Sequence, residues 1–443
     1  MTDITPIRTP AETSLAEAFA ARRGAHAGDD AVAERREAAF RHFEAQGLPH
    51  RRVEQWKYTD LRTLMRDMKP LAGAPDAAAR ARARSAGSVF AATAARRVVF
   101  VDGVLVAEAS DLSGLEPGLT ISSLSDVLAR GDGQLTRRLA AAGPAEGDVA
   151  YALNTAFMSD GAVIEVAAGV EIARPLHLVF VYGAGRAAAV FSRSLLVLGP
   201  GAGLTLFESH EGPDGVDYQV NLALDVVVGD GARLDRVKVN AEGDAALHLA
   251  TLSADVGARA NVRDFAFMTG ARVTRNQLFV RCSGAAAVLG LGGASLLTGR
   301  QHGDTTLLVD HAAGGCEARE VFKSVLDGAS RGVFQGKIIV RADAAKTDAR
   351  MMARALLLSD EAEADHKPEL EIFADDVQCG HGATSGALDA NLKFYLMSRG
   401  IPETEAEALL IQSFVGEAVD TVPHGGARDA LTAATAQWLA RRS

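Results

Sequence analysis

A thiol and an imidazole stand two residues apart in the segment Asp375-Asp376-Val377-Gln378-Cys379-Gly380-His381-Gly382-Ala383-Thr384, fenced by glycines and preceded by two carboxylates. In an extended segment residues i and i+2 point to the same side, so Cys379 and His381 present sulfur and nitrogen in one direction. Those donors suit a soft or borderline metal or a metal cluster. They amount to half a coordination sphere. Thiolate is the usual iron-sulfur ligand, and Gly380 and Gly382 expose His381. On spacing alone, a hydrogen-bonded structural histidine fits as well as a ligand.

Other reactive residues are more dispersed. His302 and Asp304, with Asp310 and His311 further on, offer nitrogen and oxygen donors, but one strand register separates their faces; hydrogen-bonded residues at coil corners are the simpler reading. Cys282 follows the alternating Leu278 and Val280 and reads as core, and Cys316 reads as a small buried hydrophobe. Three cysteines without a Cys-x-x-Cys spacing indicate neither a disulfide framework nor a dedicated zinc site, and fit a reducing compartment. No Gly-x-x-x-x-Gly-Lys-Ser/Thr phosphate loop and no Gly-x-Ser-x-Gly elbow occurs, so ATP chemistry would have to come from a partner. The alternative of a β-helical carbohydrate-active enzyme requires Asp304, Asp310 and Glu317 to converge on one groove as acid, base or calcium ligands.

Composition narrows the choices further. A net charge of −10 disfavours a general nucleic-acid surface, and the basic run Arg80 to Arg84 lacks interleaved aromatics and reads as a solvated linker. The first thirteen residues carry Asp3, Pro6 and Pro10 where a secretion signal needs a basic start and an apolar run, and no uninterrupted apolar stretch reaches the ~18 residues of a membrane span. A cytoplasmic protein with no membrane contact is expected.

The elements that must position Cys379 and His381 show in the periodicity. Leu15, Phe19, Phe40 and Phe43 are spaced as on helices up to Gly47-Leu48-Pro49. Residues 97 to 106 read as two short strands about an Asp-Gly turn, and helical signals return from Leu124 to Leu139. Gly-Ala pairs then recur at Gly201, Gly231, Gly257 and Gly284, in steps of 30, 26 and 27 residues. That is one coil of a solenoid. Glycine permits the positive φ of a tight corner, and a small neighbour lets stacked corners approach. Segments such as Leu222 to Val228 are short and β-branched, which favours a parallel β-helix over helix pairs; an antiparallel sandwich is the alternative. After Thr384 helical spacing resumes: Leu388, Leu392, Tyr395 and Leu396 share a face, Gly400 caps, Pro402 begins the next helix, and Leu431, Ala434 and Trp438 form a last stripe. The division expected is a mainly helical region at 1–95, a β-helix core at 96–385 with a partly helical lead-in to about 150, and a helical domain at 386–443.

Three blocks together resemble the SufB/SufD family of iron-sulfur cluster assembly proteins. They are Glu54-Gln55-Trp56-Lys57-Tyr58-Thr59-Asp60-Leu61; Gln335-Gly336-Lys337-Ile338 with Ala345-Lys346-Thr347-Asp348; and Lys367-Pro368-Glu369-Leu370-Glu371-Ile372 running through Cys379-Gly-His381-Gly to Phe394-Tyr395-Leu396-Met397-Ser398-Arg399-Gly400-Ile401. Cys-Gly-His-Gly, where the SufB side of the family carries Glu-His-Glu, places the chain on the SufD side. The resemblance implies a mainly β fold, a right-handed parallel β-helix between helical ends. It implies a non-enzymatic subunit that pairs with SufB and with the ATPase SufC in a scaffold for nascent clusters, or a homodimer acting alone. His381 becomes the leading cluster ligand at the SufB interface and Cys379 a weaker one. Phe394, Tyr395, Arg399 and Ile401 become a partner-binding surface for SufC. No cofactor is implied as stably held by this chain alone; a transient cluster shared with SufB is, and flavin binding and a role in iron entry stay open.

Overall fold

A computed structural model describes residues 8–23, 28–131, 133–134, 138–139, 143–182 and 186–442. Residues 1–7, part of the thirteen on which the expectation about a secretion signal rests, and parts of the Leu124 to Leu139 segment lie outside these; Leu124–Arg130 is helical.

The body is a parallel β-solenoid of eight coils, each contributing one strand to each of two sheets. A nine-stranded sheet runs from Leu119–Ser123 to Glu363–Ile372, and a ten-stranded sheet runs from Val104–Leu105 to Gln378–Gly386. From Ala162–Val166 onward, strands adjacent within a sheet are alternate strands in sequence, so each such neighbour is one full coil away. The antiparallel sandwich is thereby excluded. Antiparallel pairing is confined to the start: Leu119–Ser123 pairs with Ala162–Val166, and Arg96–Val101 turns back on Val104–Leu105 through Asp102 and Gly103, both at positive φ, as the Asp-Gly signal predicts.

The corners are built in two ways. Gly201 and Gly231 take φ of 69° and 65°, where any side chain would be strained. Gly257 and Gly284 do not; at those corners Arg259 and Ala286 carry the positive φ, at 55° and 60°. A Cβ on Gly284 would run into the Ala258 backbone, and one on Gly257 into Asp230. Those two glycines serve the close stacking of coils, not the turn itself, so the Gly-Ala repeat has two physical causes.

Alternation sorts the strand residues. One set faces the interior, an apolar core that includes Leu204, Leu234, Val262 and Leu289. The other set faces outward and is covered on both flanks. Helices Pro10–Arg22 and Asp30–Gln46, with Val149–Phe157, cover Phe191, Leu249 and Val273 of the nine-stranded sheet. Helices Glu403–Val419 and Gly425–Arg442 lay Ile411, Val415, Leu431 and Trp438 over Phe207, Val237, Phe265 and Phe267 of the ten-stranded sheet.

The C-terminal helices lie along the flank of the solenoid, because the outward apolar residues of the ten-stranded sheet need cover. One expectation is corrected here: the Arg80 to Arg84 run is not a solvated linker. It lies mainly in the helix Ala77–Ala83, capped by Asp76, and buries Ala79 and Ala83 against Val99, Val101 and Val179 while Arg80 pairs with Glu108.

Candidate cluster site at the open end

The last coil is the uncovered one. Glu363–Ile372 and Gln378–Gly386 are the terminal strands of their sheets, and no residue in either is buried. Each leaves one edge of backbone N–H and C=O groups unpaired, which is a template for another chain. Beside them Phe373 is 62% exposed.

Cys379 and His381 both lie on Gln378–Gly386, and the register fixes their direction. Cys379 is the partner of Ala349, which continues the column Leu204, Leu234, Val262, Leu289, Ala318. His381 is the partner of Met351, which ends the column Leu206, Arg236, Asp264, Leu291, Glu320. The two side chains therefore share the interior-facing side of the sheet, as the i, i+2 spacing predicts. Their surroundings differ. Cys379 is half-buried on the apolar core, and burial raises its thiol pKa. His381 is exposed. Gly380 has open space at its Cβ position, whereas a Cβ on Gly382 would meet the end of Met352. From the other sheet His366, in register with the buried Phe334, faces the same interior; it is half-buried, and burial lowers its pKa. Sequence reading passed over it, although its even spacing from Pro368 and Leu370 was a usable signal. Asp375 and Asp376 sit at the corner before the strand, Asp376 at positive φ. Among the described residues, no third His, Cys, Asp or Glu donor joins Cys379 and His381 in a compact ligand set.

The helix Ala390–Ser398 follows the His381 strand after three residues and buries none of its side chains. Phe394 is 73% and Tyr395 53% exposed, with Arg399 over the Tyr395 ring at 5.1 Å; Ile401 is half-buried. The helix is held on its polar side, where Lys393 pairs with Glu403 and Glu407, each at 2.7 Å.

The dispersed candidates resolve as structure. Asp304 is fully buried in an ion pair with Arg275 and accepts from Thr59 and Thr306. His302 Nε2 lies 2.9 Å from Thr59 Oγ1, and Asp310 binds Arg341 at 2.8 Å. Glu317 is exposed on the opposite sheet. No acidic groove forms from these three, which removes the support for a carbohydrate-active enzyme. Trp56 is a docking anchor: it is buried, its Nε1 donates to Asp148 at 3.1 Å, and the Arg275 guanidinium stacks 3.7 Å from its ring centre. Cys282 and Cys316 are buried, but they are not isolated hydrophobes, since both lie with His311 in one cluster of donors.

The fold is a parallel β-solenoid flanked by helices, with an open last coil that carries a thiol and an imidazole on one side of its terminal strand. The chain belongs to the SufBD family of iron-sulfur cluster assembly proteins: residues 180–414 match "SUF system FeS cluster assembly, SufBD core domain" and residues 12–178 match "SufBD protein N-terminal region". It is 30% identical over 410 residues to an iron-sulfur cluster assembly SufBD family protein of Synechocystis, covering 89% of this chain and 88% of that one. It is 29% identical over 403 residues to the iron-sulfur cluster assembly protein SufD of Escherichia coli, covering 89% and 90%. With SufD of Bacillus subtilis the identity is 26% over 282 residues, 63% of this chain and 64% of the relative. Among the described residues, no helix is long and apolar enough to cross a membrane.

Proposed function

We propose that this chain is a non-catalytic SufD-type subunit that pairs through its open last coil with SufB and through the helix Ala390–Ser398 with the ATPase SufC. The carrying observation is the placement of His381 and Cys379 on a terminal strand whose far edge is unpaired. A partner strand laid on that edge brings its own side chains into register beside them, so the missing ligands arrive with the interface. The substrate is the nascent iron-sulfur cluster, held between chains, with His381 as ligand or positioning group and Cys379 assisting.

The route for force is short. Three residues separate the strand of His381 from the exposed helix, so displacement of that helix by a moving ATPase pulls directly on the last coil. The longer helix Glu403–Val419 stays fixed to the flank, where Lys323 Nζ donates to Phe414 O at 2.6 Å. The motion therefore concentrates on the open end.

The same pair of open edges fits a second copy of this chain, which is the alternative homodimer. Anaerobic co-expression with SufB and SufC separates the readings. A stable three-protein complex whose iron and sulfide content falls in the His381→Ala variant supports the first; a dimer of this chain alone that ignores SufB overturns it.

A further inference from the structure

Inside the solenoid, away from the open end, Cys282, His311 and Cys316 bring two sulfurs and an imidazole nitrogen within 4.8 Å of one another. All three are fully buried, at 0% exposure. Cys282 and His311 are the last residues of successive strands in the nine-stranded sheet and direct register partners. Cys316 comes from the following corner, just before the strand Glu317–Leu326. Both cysteines are free. Neither ring nitrogen of His311 has a hydrogen-bond partner outside this cluster, although a buried polar group left unsatisfied is costly. An imidazole held dry against two thiols, with no partner outside the cluster for either nitrogen, is explained if a cation lies among the three donors.

We propose that Cys282, His311 and Cys316 form an internal site for one thiophilic metal ion, of the copper(I) or zinc(II) type. Two sulfurs and one nitrogen select such ions over hard ones. With no fourth side-chain donor among the described residues, a three-coordinate copper(I) ion fits directly, and zinc(II) fits with water or a backbone carbonyl in its fourth position. The Cys316 thiol lies 3.2 Å from Ala313 O, to which it donates. Loading replaces the two thiol protons by the ion and releases them to water. The ion then staples two coils and the corner between the sheets. The other internal group, His210, Glu242 and His248, does not qualify: His248 bonds Glu242 and Lys238 at 3.0 Å each, and the Lys238 ammonium opposes a cation.

Burial means that the ion enters as the chain folds, so the test is made on protein loaded in the cell. The full chain carrying Cys379→Ser and His381→Ala, which removes the exposed donors at the open end, is produced in medium supplemented with zinc or with copper. Metal is counted by mass spectrometry and its shell read by X-ray absorption. One ion per chain with a shell of two sulfurs and one nitrogen supports the site, and the medium that delivers it identifies the metal class. His311→Leu in that background should empty the site. Overturning results are substoichiometric metal from both media, a shell without sulfur, or loss of both remaining free thiols on denaturation, which would reveal a disulfide. Should the His311 variant not fold, the absorption spectrum of the parent still decides.

Discussion

Glu320 and His381 stand on one interior column of the ten-stranded sheet, two coils apart, with Met351 between them in direct register. The column carries Arg236 and Asp264 deeper in the solenoid, where they pair with each other and Arg236 also binds Glu208 at 2.7 Å. Asp264 keeps one oxygen in that pair and leaves the other without a partner, whereas at Glu320 both oxygens have none. His381 is the first member of the column to reach solvent.

Burial alone holds the Glu320 carboxyl at a pKa of about 8, against an ordinary 4.5. Below pH 4.5 the group is protonated in folded and unfolded chains alike and has no effect. Between these values the unfolded chain releases the proton while the folded one keeps it, so stability falls as pH rises and levels off above about 8. Glu320→Gln should match the parent near pH 4.5 and exceed it at pH 8, by at most about 5 kcal/mol. Denaturant titrations at both pH values check this; a difference that does not change with pH counts against it.

At the open end, His381→Ala should lower the iron and sulfide carried by the anaerobically isolated three-protein complex several-fold, with subunit stoichiometry unchanged on gel filtration. Cys379→Ser should lower it less, because that thiol is held protonated by burial. The reverse ranking would transfer the ligand role to the cysteine.

Phe394→Asp should weaken the proposed SufC contact by about tenfold or more in affinity if Phe394 is its anchor. The isolated chain should keep its stability within about 0.5 kcal/mol, because the side chain is 73% exposed and packs on nothing that must be reformed. Binding measured by calorimetry beside a thermal melt separates the two effects.

Arg275 and Asp304 have fully buried side chains that pair with each other. Arg275→Met should destabilise by about 3–5 kcal/mol, because Asp304 is left charged and unpaired in the interior. The double variant Arg275→Met with Asp304→Leu should recover much of that loss. Trp56→Ala should cost about 3–5 kcal/mol as well, loosening the N-terminal helices. Urea unfolding of the four proteins gives the comparison.

Much of the architecture was legible because it is local. The Gly-Ala steps mark the coil, the β-branched runs mark strands, and the Asp-Gly turn falls where it was read. What escaped the sequence is what depends on stacking. Gly257 and Gly284 were read as turn formers, but their role is contact with the coil beneath, which no residue pattern within one coil reveals. The alanine and arginine stretch at 77–84 looks solvated in sequence because its two buried alanines carry no strong periodic signal.

For the site, the sequence by itself determined that Cys379 and His381 share a side and that two donors are too few, since both follow from spacing two in an extended segment. Only the tertiary structure decided that Cys379 continues an apolar column while His381 ends a polar one. It also placed both on an uncovered edge, and it brought Cys282, His311 and Cys316 together from two strands and one corner. The physical reason is that a solenoid makes neighbours of residues about one coil apart in the chain. Periodicity along the sequence fixes which way a side chain points, but coil lengths that vary from corner to corner fix what it points at.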